Sequence, residues 1–295
     1  MLAEQTKVFE ALQNAGVDFL VLKGGALAHW LYAKPHLRVV TDLDILLPSK
    51  QDVFELNKVL ASIGYHTEVA AGELISYEHP FRKPGGPFDN YTVDAHWRLF
   101  NSALLQDRFD YAQLRSEAVS LPNKVGAHGL SPVHALFNAC GHFVMNLPNT
   151  QTLGLQNPHS LRWQWDIYAI AISLNASQWL AVIQLAQQKQ MSAVILYTLN
   201  TVQSVFDTVI PSHVLVELNK QQSQEPMKIS WFSSWTNYQW QSLLASSPHW
   251  RGRWQWLWER IWPKPEAMRE RYGNDDPVWK FMLKRFWVGI KRLLS

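Results

Sequence analysis

Apolar positions follow two regimes along the chain: short alternating or β-branched runs up to about Val125, and helix-period runs beyond it. Val8, Leu12 and Ala15 recur at helical spacing, and Gly16 closes the helix they predict over Leu2 to Ala15. Val17 to Leu22 is apolar and partly β-branched, which predicts a buried strand. Gly24-Gly25 then turns the chain into a helix from about Ala26 to Tyr32, ended by Pro35. A second strand is expected over Arg38 to Leu47, stopped by Pro48. Ser49 suits the cap of a helix over Asp52 to Ile63, with Gly64 as its left-handed stop. Tyr65 to Val69 alternates as a strand does, and Pro80 to Pro87 reads as a Pro- and Gly-rich loop. Tyr91 to Trp97 alternates again, with Thr92, Asp94 and His96 on one face and Tyr91, Val93, Ala95 and Trp97 on the other.

Beyond Val125 the period changes. Ser131-Pro132 opens a helix, serine as cap and proline at the first helical position. Helices are predicted over Pro132 to Leu147, Leu161 to Leu174, Trp179 to Gln188, Ala193 to Phe206 and Trp235 to Ala245, with breaks at Asn175 to Ser177 and at Pro211-Ser212. The predicted fold class is α+β. A small mixed β-sheet domain with flanking helices, residues 1–125, precedes a mostly helical domain, residues 126–295, that ends in a Trp-rich basic segment.

Composition sharpens this division. The chain has 295 residues, 47% of them apolar, enough for a packed core. Its net charge of +3 is unevenly placed: 12 basic against 15 acidic residues through Thr150, then 15 against 9. Of the 15 tryptophans, 13 follow Ser160, so the two halves differ in character. A single cysteine, Cys140, cannot form an internal disulfide and reads as a core residue. Neither a signal peptide nor a run of roughly 18 apolar residues is legible, so a cytoplasmic protein is expected.

The candidate chemistry centres on Thr41-Asp42-Leu43-Asp44-Ile45. On a strand, Asp42 and Asp44 would share a face about 7 Å apart while Leu43 and Ile45 enter a core. Asp94, on the later alternating run, supplies a third carboxylate. Such a trio suits Mg2+ or Mn2+ and a triphosphate, because hard cations take carboxylate and phosphate oxygens while keeping waters. Transfer of a nucleotidyl group from an NTP such as ATP to a hydroxyl would use Asp42 and Asp44 to bridge metal ions. Asp94 would complete the metal nearer the acceptor and help remove the hydroxyl proton. Gly24 and Gly25 would let backbone amides approach the phosphates at a helix start, with Lys23 and Arg38 as phosphate partners. No Ser or Thr follows a Gly-Lys pair, so this is not a P-loop.

Lys23-Gly24-Gly25, then Arg38, then Thr41-Asp42-Leu43-Asp44, then Val93-Asp94-Ala95-His96-Trp97 resembles the DNA polymerase β-like nucleotidyltransferase superfamily. More narrowly it resembles its bacterial family of uncharacterised nucleotidyltransferases, strongly over Phe19 to Phe100 and more weakly through His142, Arg162 to Ile167 and Ser177 to Gln188. The resemblance implies a small nucleotidyltransferase sheet followed by helices that shape an acceptor site. The superfamily often has Gly-Ser in the turn, whereas Gly24-Gly25 offers no hydroxyl. For the acceptor, a small molecule, a sugar or a protein hydroxyl is favoured over nucleic acid.

Other residues read more blandly. His134 and His142 lie eight apart on one predicted helix, and with Asp166 they suit structural packing better than a metal site or a His–Asp base. His96 shares a face with Asp94, within reach of acceptor or nucleotide. Trp250, Trp254, Trp258 and Trp262 form a helical stripe expected to be core, and Val278 to Leu294 a basic amphipathic helix expected to pack on the second domain. A nucleotide-binding adaptor, or a peripheral membrane protein working through this basic Trp-rich end, are the alternatives to an enzyme.

Overall fold

The computed structural model describes residues 2–67, 76–85, 89–122, 124, 126–152, 158–207 and 210–261, with 279, 280 and 283. Helix α1 (Leu2–Asn14) leads through Gly16, at φ 68, into strand β1 (Leu20–Val21). Helix α2 (Lys23–Trp30) follows at once, then β2 (Leu43–Leu46), α3 (Asp52–Ser62), β3 (Glu78–Pro84) and β4 (Asn90–His96). A short α4 (Tyr111–Ser116) precedes β5 (Val119–Ser120) and β6 (His128–Gly129). The rest is helical: α5 (Pro132–Thr152), α6 (Pro158–Ser173), α7 (Ala176–Lys189), α8 (Ser192–Phe206), α9 (Ser212–Gln222), α10 (Trp235–Ser246) and α11 (Trp250–Ile261). The fold is therefore mixed α+β, with a helical C-terminal region.

The six strands form one sheet in the order β3-β4-β2-β1-β6-β5. β2 runs parallel to β4 and antiparallel to β1, while β3 and β5 are the antiparallel edges. Period-2 alternation gives the sheet two buried faces. Val21, Leu43, Ile45, Val93 and Ala95 pack with Val8, Phe9 and Leu12 of α1 and with Leu56 and Leu60 of α3. Leu20, Leu22 and Leu46 face the opposite way and share a core with Leu136, Phe137, Cys140 and Val144 of α5. Each fully buried Leu or Phe contributes on the order of 1.5–3 kcal/mol. The sheet is thus clamped between α1/α3 and the helical layer, and its strand β6 lies past residue 125, on the helical side of the expected division.

Several expectations are corrected. Pro80 to Pro84 is not loop but edge strand, paired from Pro80 opposite Asp94 to Pro84 opposite Asn90. β3 tolerates these prolines because positions 80, 82 and 84 turn their N–H side away from β4, toward the flank where Arg82 bridges His66. The second strand begins at Leu43, not Arg38; Pro35–Leu37 forms a 3-10 turn, and Asp42 sits on the bend that enters β2. The glycines do not precede α2 but lie inside its first turn, and the left-handed residue there is Lys23, at φ 46. Of Tyr65 to Val69, His66 makes a single bridge to Arg82, and residues 68 and 69 lie outside the described residues. The tryptophan stripe is not core: Trp250, Trp254 and Trp258 are 61–66% exposed, and it is Trp256 that is buried. Trp262 and, apart from Trp279, Lys280 and Leu283, the basic segment Val278 to Leu294 lie outside the described residues.

Candidate active site

Because Leu43 and Ile45 must enter the α1/α3 core, Asp44 is forced to the opposite face, toward α5. The parallel register places Asp94 directly across from Asp44, and His96 across from Leu46. Two cavities meet on this face. A slot of ≈ 130 Å³ (the volume open to the centre of a water molecule) takes in Lys23, Gly24, Arg38, Asp42, Asp44, Arg162 and Asp166. A chamber of ≈ 540 Å³ on the same measure takes in Glu78, Asp94 and His96. Lys23, Asp42, Asp44, Asn138 and His142 line both, so Asp42 and Asp44 stand on the ridge between them.

The electrostatics are those of crowded acids. Lys23 Nζ donates to Asp44 Oδ1 at 2.6 Å, and His96 Nε2 donates to the same oxygen at 3.0 Å. His96 Nδ1 lies 3.5 Å from Glu78 Oε2 without a hydrogen bond, so a buried imidazole stands between two carboxylates and bonds one of them. Burial opposes ionisation of Asp44, but the Lys23 charge and the His96 hydrogen bond outweigh it and hold the carboxyl well below the usual range. Asp94 shifts the other way: burial first, then the charges of Asp44, Glu78 and Asp42, push it well above the usual carboxylate range. Burial and Asp44 also raise Asp42. The Lys23 ammonium is disfavoured by burial, yet Asp44 and Glu78 more than compensate and raise its pKa. His142 is pushed down to about 3 by burial and by Lys23, so it is neutral in this setting.

A divalent cation is tested here against the donor set. Among the described residues no three acidic, His or Cys side chains already converge at metal-binding distance. The chemistry nevertheless fits a hard cation, because Asp42, Asp44, Glu78 and Asp94 face Lys23 as their shared positive neighbour. Lys23 sits where positive charge is wanted, and binding a metal would require its ammonium to leave Asp44.

Arg38 has a partner that local sequence could not show. Its Nε donates to Asp166 Oδ1 and Oδ2 at 2.9 and 3.2 Å, and Nη2 to Oδ2 at 2.6 Å, a buried fork from the sheet side to α6. Nη1 donates to the Val39 carbonyl, and the Tyr32 hydroxyl donates to Asp166 Oδ1 at 2.8 Å. Burial disfavours the Arg38 cation, but Asp166 outweighs it and raises its pKa. Gly24 suits this packing: a Cβ there would meet the Arg38 guanidinium at 3.1 Å and press on the fork. Gly25 lines neither cavity; a Cβ on it would press on Leu43 and Val21 at 3.1 and 3.2 Å.

His134 and His142 do not share a carboxylate with Asp166. His134 pairs with Ser131 Oγ at 3.1 Å, and His142 stands edge-on to Trp163 at 4.7 Å between ring centroids. Cys140 is buried, with its thiol pushed up by burial. The residues that sequence reasoning missed are Glu78, Asn138, and Arg162 as a slot cation; Asp166 was noticed, but for the wrong partner. The alternation that singled out Asp94 would also have flagged Glu78 had Pro80 not suggested a loop.

Carboxylates gathered across a parallel strand pair, beside a lysine at a helix start, are groups suited to a hard cation and to phosphate oxygens. Residues 1–207 match the family described as uncharacterised nucleotidyltransferase, and the chain belongs to that family. Membership supports nucleotidyl transfer as its general activity. No curated protein matches the chain. Among the described residues no helix is long and apolar enough to cross a membrane.

Proposed function

We propose that this chain transfers a nucleotidyl group from a nucleoside triphosphate to an acceptor hydroxyl, releasing pyrophosphate, with Mg2+ or Mn2+ held by Asp42, Asp44 and Asp94. The observation that carries the reading is the direct pairing of Asp44 with Asp94 across parallel strands. A bound divalent ion would supply charge neutralisation at the phosphates.

The chain's own residues do the rest. The first amides of α2 have no intrahelical partner, and Gly24, lining the slot, lets phosphate oxygens come close to them. Lys23, freed from Asp44, swings to the leaving pyrophosphate. Arg162 adds positive charge in the same slot, and the Arg38–Asp166 fork keeps the slot's wall in place. Asp94 faces the chamber and receives the acceptor's proton. The acceptor oxygen bonds to the α-phosphorus as the bond to the pyrophosphate oxygen breaks.

The test is pyrophosphate release from each NTP with magnesium or manganese and a mixed panel of hydroxyl compounds. Release is expected only with metal, and Asp44→Asn should lower it at least about a hundredfold while the circular dichroism is unchanged. Metal-independent release, or full activity in Asp44→Asn, would overturn the reading.

A peripheral contact has its own observation. Trp250, Trp254 and Trp258 are exposed, with Arg251 and Arg253 between them, which suits an anionic membrane surface. Sedimentation with phosphatidylserine vesicles, reduced in Trp250→Ala/Trp254→Ala, is the expected result; equal pelleting of both chains would contradict it.

A further inference from the structure

The two cavities differ in chemistry. The slot holds Lys23, Arg38 and Arg162 beside Trp30 and Trp163, as a nucleotide requires. Among the described residues the chamber's wall carries no cation except Lys23, itself paired to Asp44, against the carboxylates of Asp42, Asp44, Glu78 and Asp94. A polyanion such as RNA would be repelled there.

The side-chain amides of the chamber carry no charge and point both ways in hydrogen-bond sense. Asn101 Oδ1 accepts from the Tyr77 amide at 3.0 Å, which leaves its NH2 to donate. Asn146 is the reverse: its NH2 donates to the His142 carbonyl at 2.8 Å, leaving Oδ1 to accept. Asn138 is only 3% exposed and lines both cavities, yet its NH2 has no hydrogen-bond partner among the described residues. A buried amide left this way is destabilising, and a ligand oxygen would satisfy it. Trp235 and Tyr238 of α10 close the chamber with aromatic surface.

Donors and acceptors intermixed at close range match hydroxyl groups, each of which gives and takes a hydrogen bond. A phosphate only accepts, and an ammonium only donates. We propose that the chamber is the acceptor site and that it takes an uncharged polyhydroxylated small molecule, a saccharide or polyol, with one hydroxyl presented to Asp94. This rests on the nucleotidyl transfer reading for its reaction, but the chamber's selectivity is separable from it.

The experiment uses the full chain and saturation-transfer NMR with a mixture of methyl glycosides and myo-inositol, a short RNA and a serine-containing peptide. In parallel, binding of a fluorescent ATP analogue with Mn2+ reads the nucleotide slot. Saturation transfer to the glycoside or inositol components is expected, falling at least fivefold in Asn146→Leu and in Asn101→Ala, with the ATP analogue still bound. That retained binding shows each variant is folded. Transfer to RNA or peptide instead of the polyols, or no response from any of the three, overturns the polyol assignment. If the ATP analogue binds nonetheless, the nucleotidyl reading survives that failure. Polyol binding without any nucleotide binding sinks the nucleotidyl reading and leaves the chamber assignment standing.

Discussion

Asp166→Ala removes the carboxylate that holds Arg38, and the structure sets the size of the loss. The Arg38 and Asp166 side chains are 8% and 7% exposed, and three contacts of 2.6 to 3.2 Å join them. Without Asp166 a buried guanidinium keeps the Val39 carbonyl but, among the described residues, no hydrogen-bonded carboxylate, and the Tyr32 hydroxyl loses its acceptor. Breaking a buried pair on one side costs about 3–5 kcal/mol, chiefly from the charge left behind. For a chain of this size that is a fall in Tm on the order of 10 °C. The double variant Arg38→Met/Asp166→Leu removes both charges and should recover more than half of the loss. Thermal melts of wild type, Asp166→Ala and the double variant, without nucleotide, check this. A Tm for Asp166→Ala within about 2 °C of wild type, or a double variant no more stable than the single, would refute the claim that the fork is a buried tie between sheet and helices.

Three further outcomes follow from the packing and charge. Gly141→Ala gains about 1 kcal/mol of helix propensity but places a Cβ 2.3 Å from a ring carbon of buried Phe100, so a net loss of about 1–3 kcal/mol is expected in urea unfolding. Gly25→Ala should also destabilise, by about 1 kcal/mol, through Leu43 and Val21, and unchanged unfolding would show that these side chains yield freely. Glu4 is buried, which alone would raise its pKa, but Lys83 at 2.7 Å and Lys7 at 3.4 Å lower it instead. Its folded pKa lies below the unfolded 4.5, so its stabilisation is full above that pH and is lost as pH falls through and below it. Melts from pH 6 to pH 3 should therefore fall more steeply in wild type than in Glu4→Gln, and parallel curves would contradict the ion pair.

What the sequence made legible was local and periodic. Leu43 and Ile45 had to be core, so Asp44 had to face away, and the same alternation placed Asp94 on one strand face with His96. α5, α7, α8 and α10 were readable from apolar spacing and, for α5, from Ser131-Pro132; Asn175, read only as a break, proves to cap α7, its side chain accepting from the Gln178 amide while Gln178 answers back. What stayed hidden depended on distant partners. Arg38 and Asp166 lie 128 residues apart, so nothing near Arg38 showed that its fork was committed. Glu78 was lost because Pro80 and Pro84 read as loop, and only the sheet order reveals their strand as an edge. Gly24 and Gly25 were read as a turn before α2, whereas they lie in its first turn, where a Cβ would press on neighbouring side chains at 3.1–3.2 Å, and the positive φ belongs to Lys23.

The proposal that Asp42, Asp44 and Asp94 hold one cation is tested most directly by Mn2+ electron paramagnetic resonance on the full chain with a non-hydrolysable ATP analogue. Wild type should bind Mn2+ stoichiometrically, and Asp44→Asn and Asp94→Asn should each weaken that binding at least about tenfold, the loss of one charged ligand. Undiminished Mn2+ binding by Asp94→Asn would place the metal elsewhere and contradict the account.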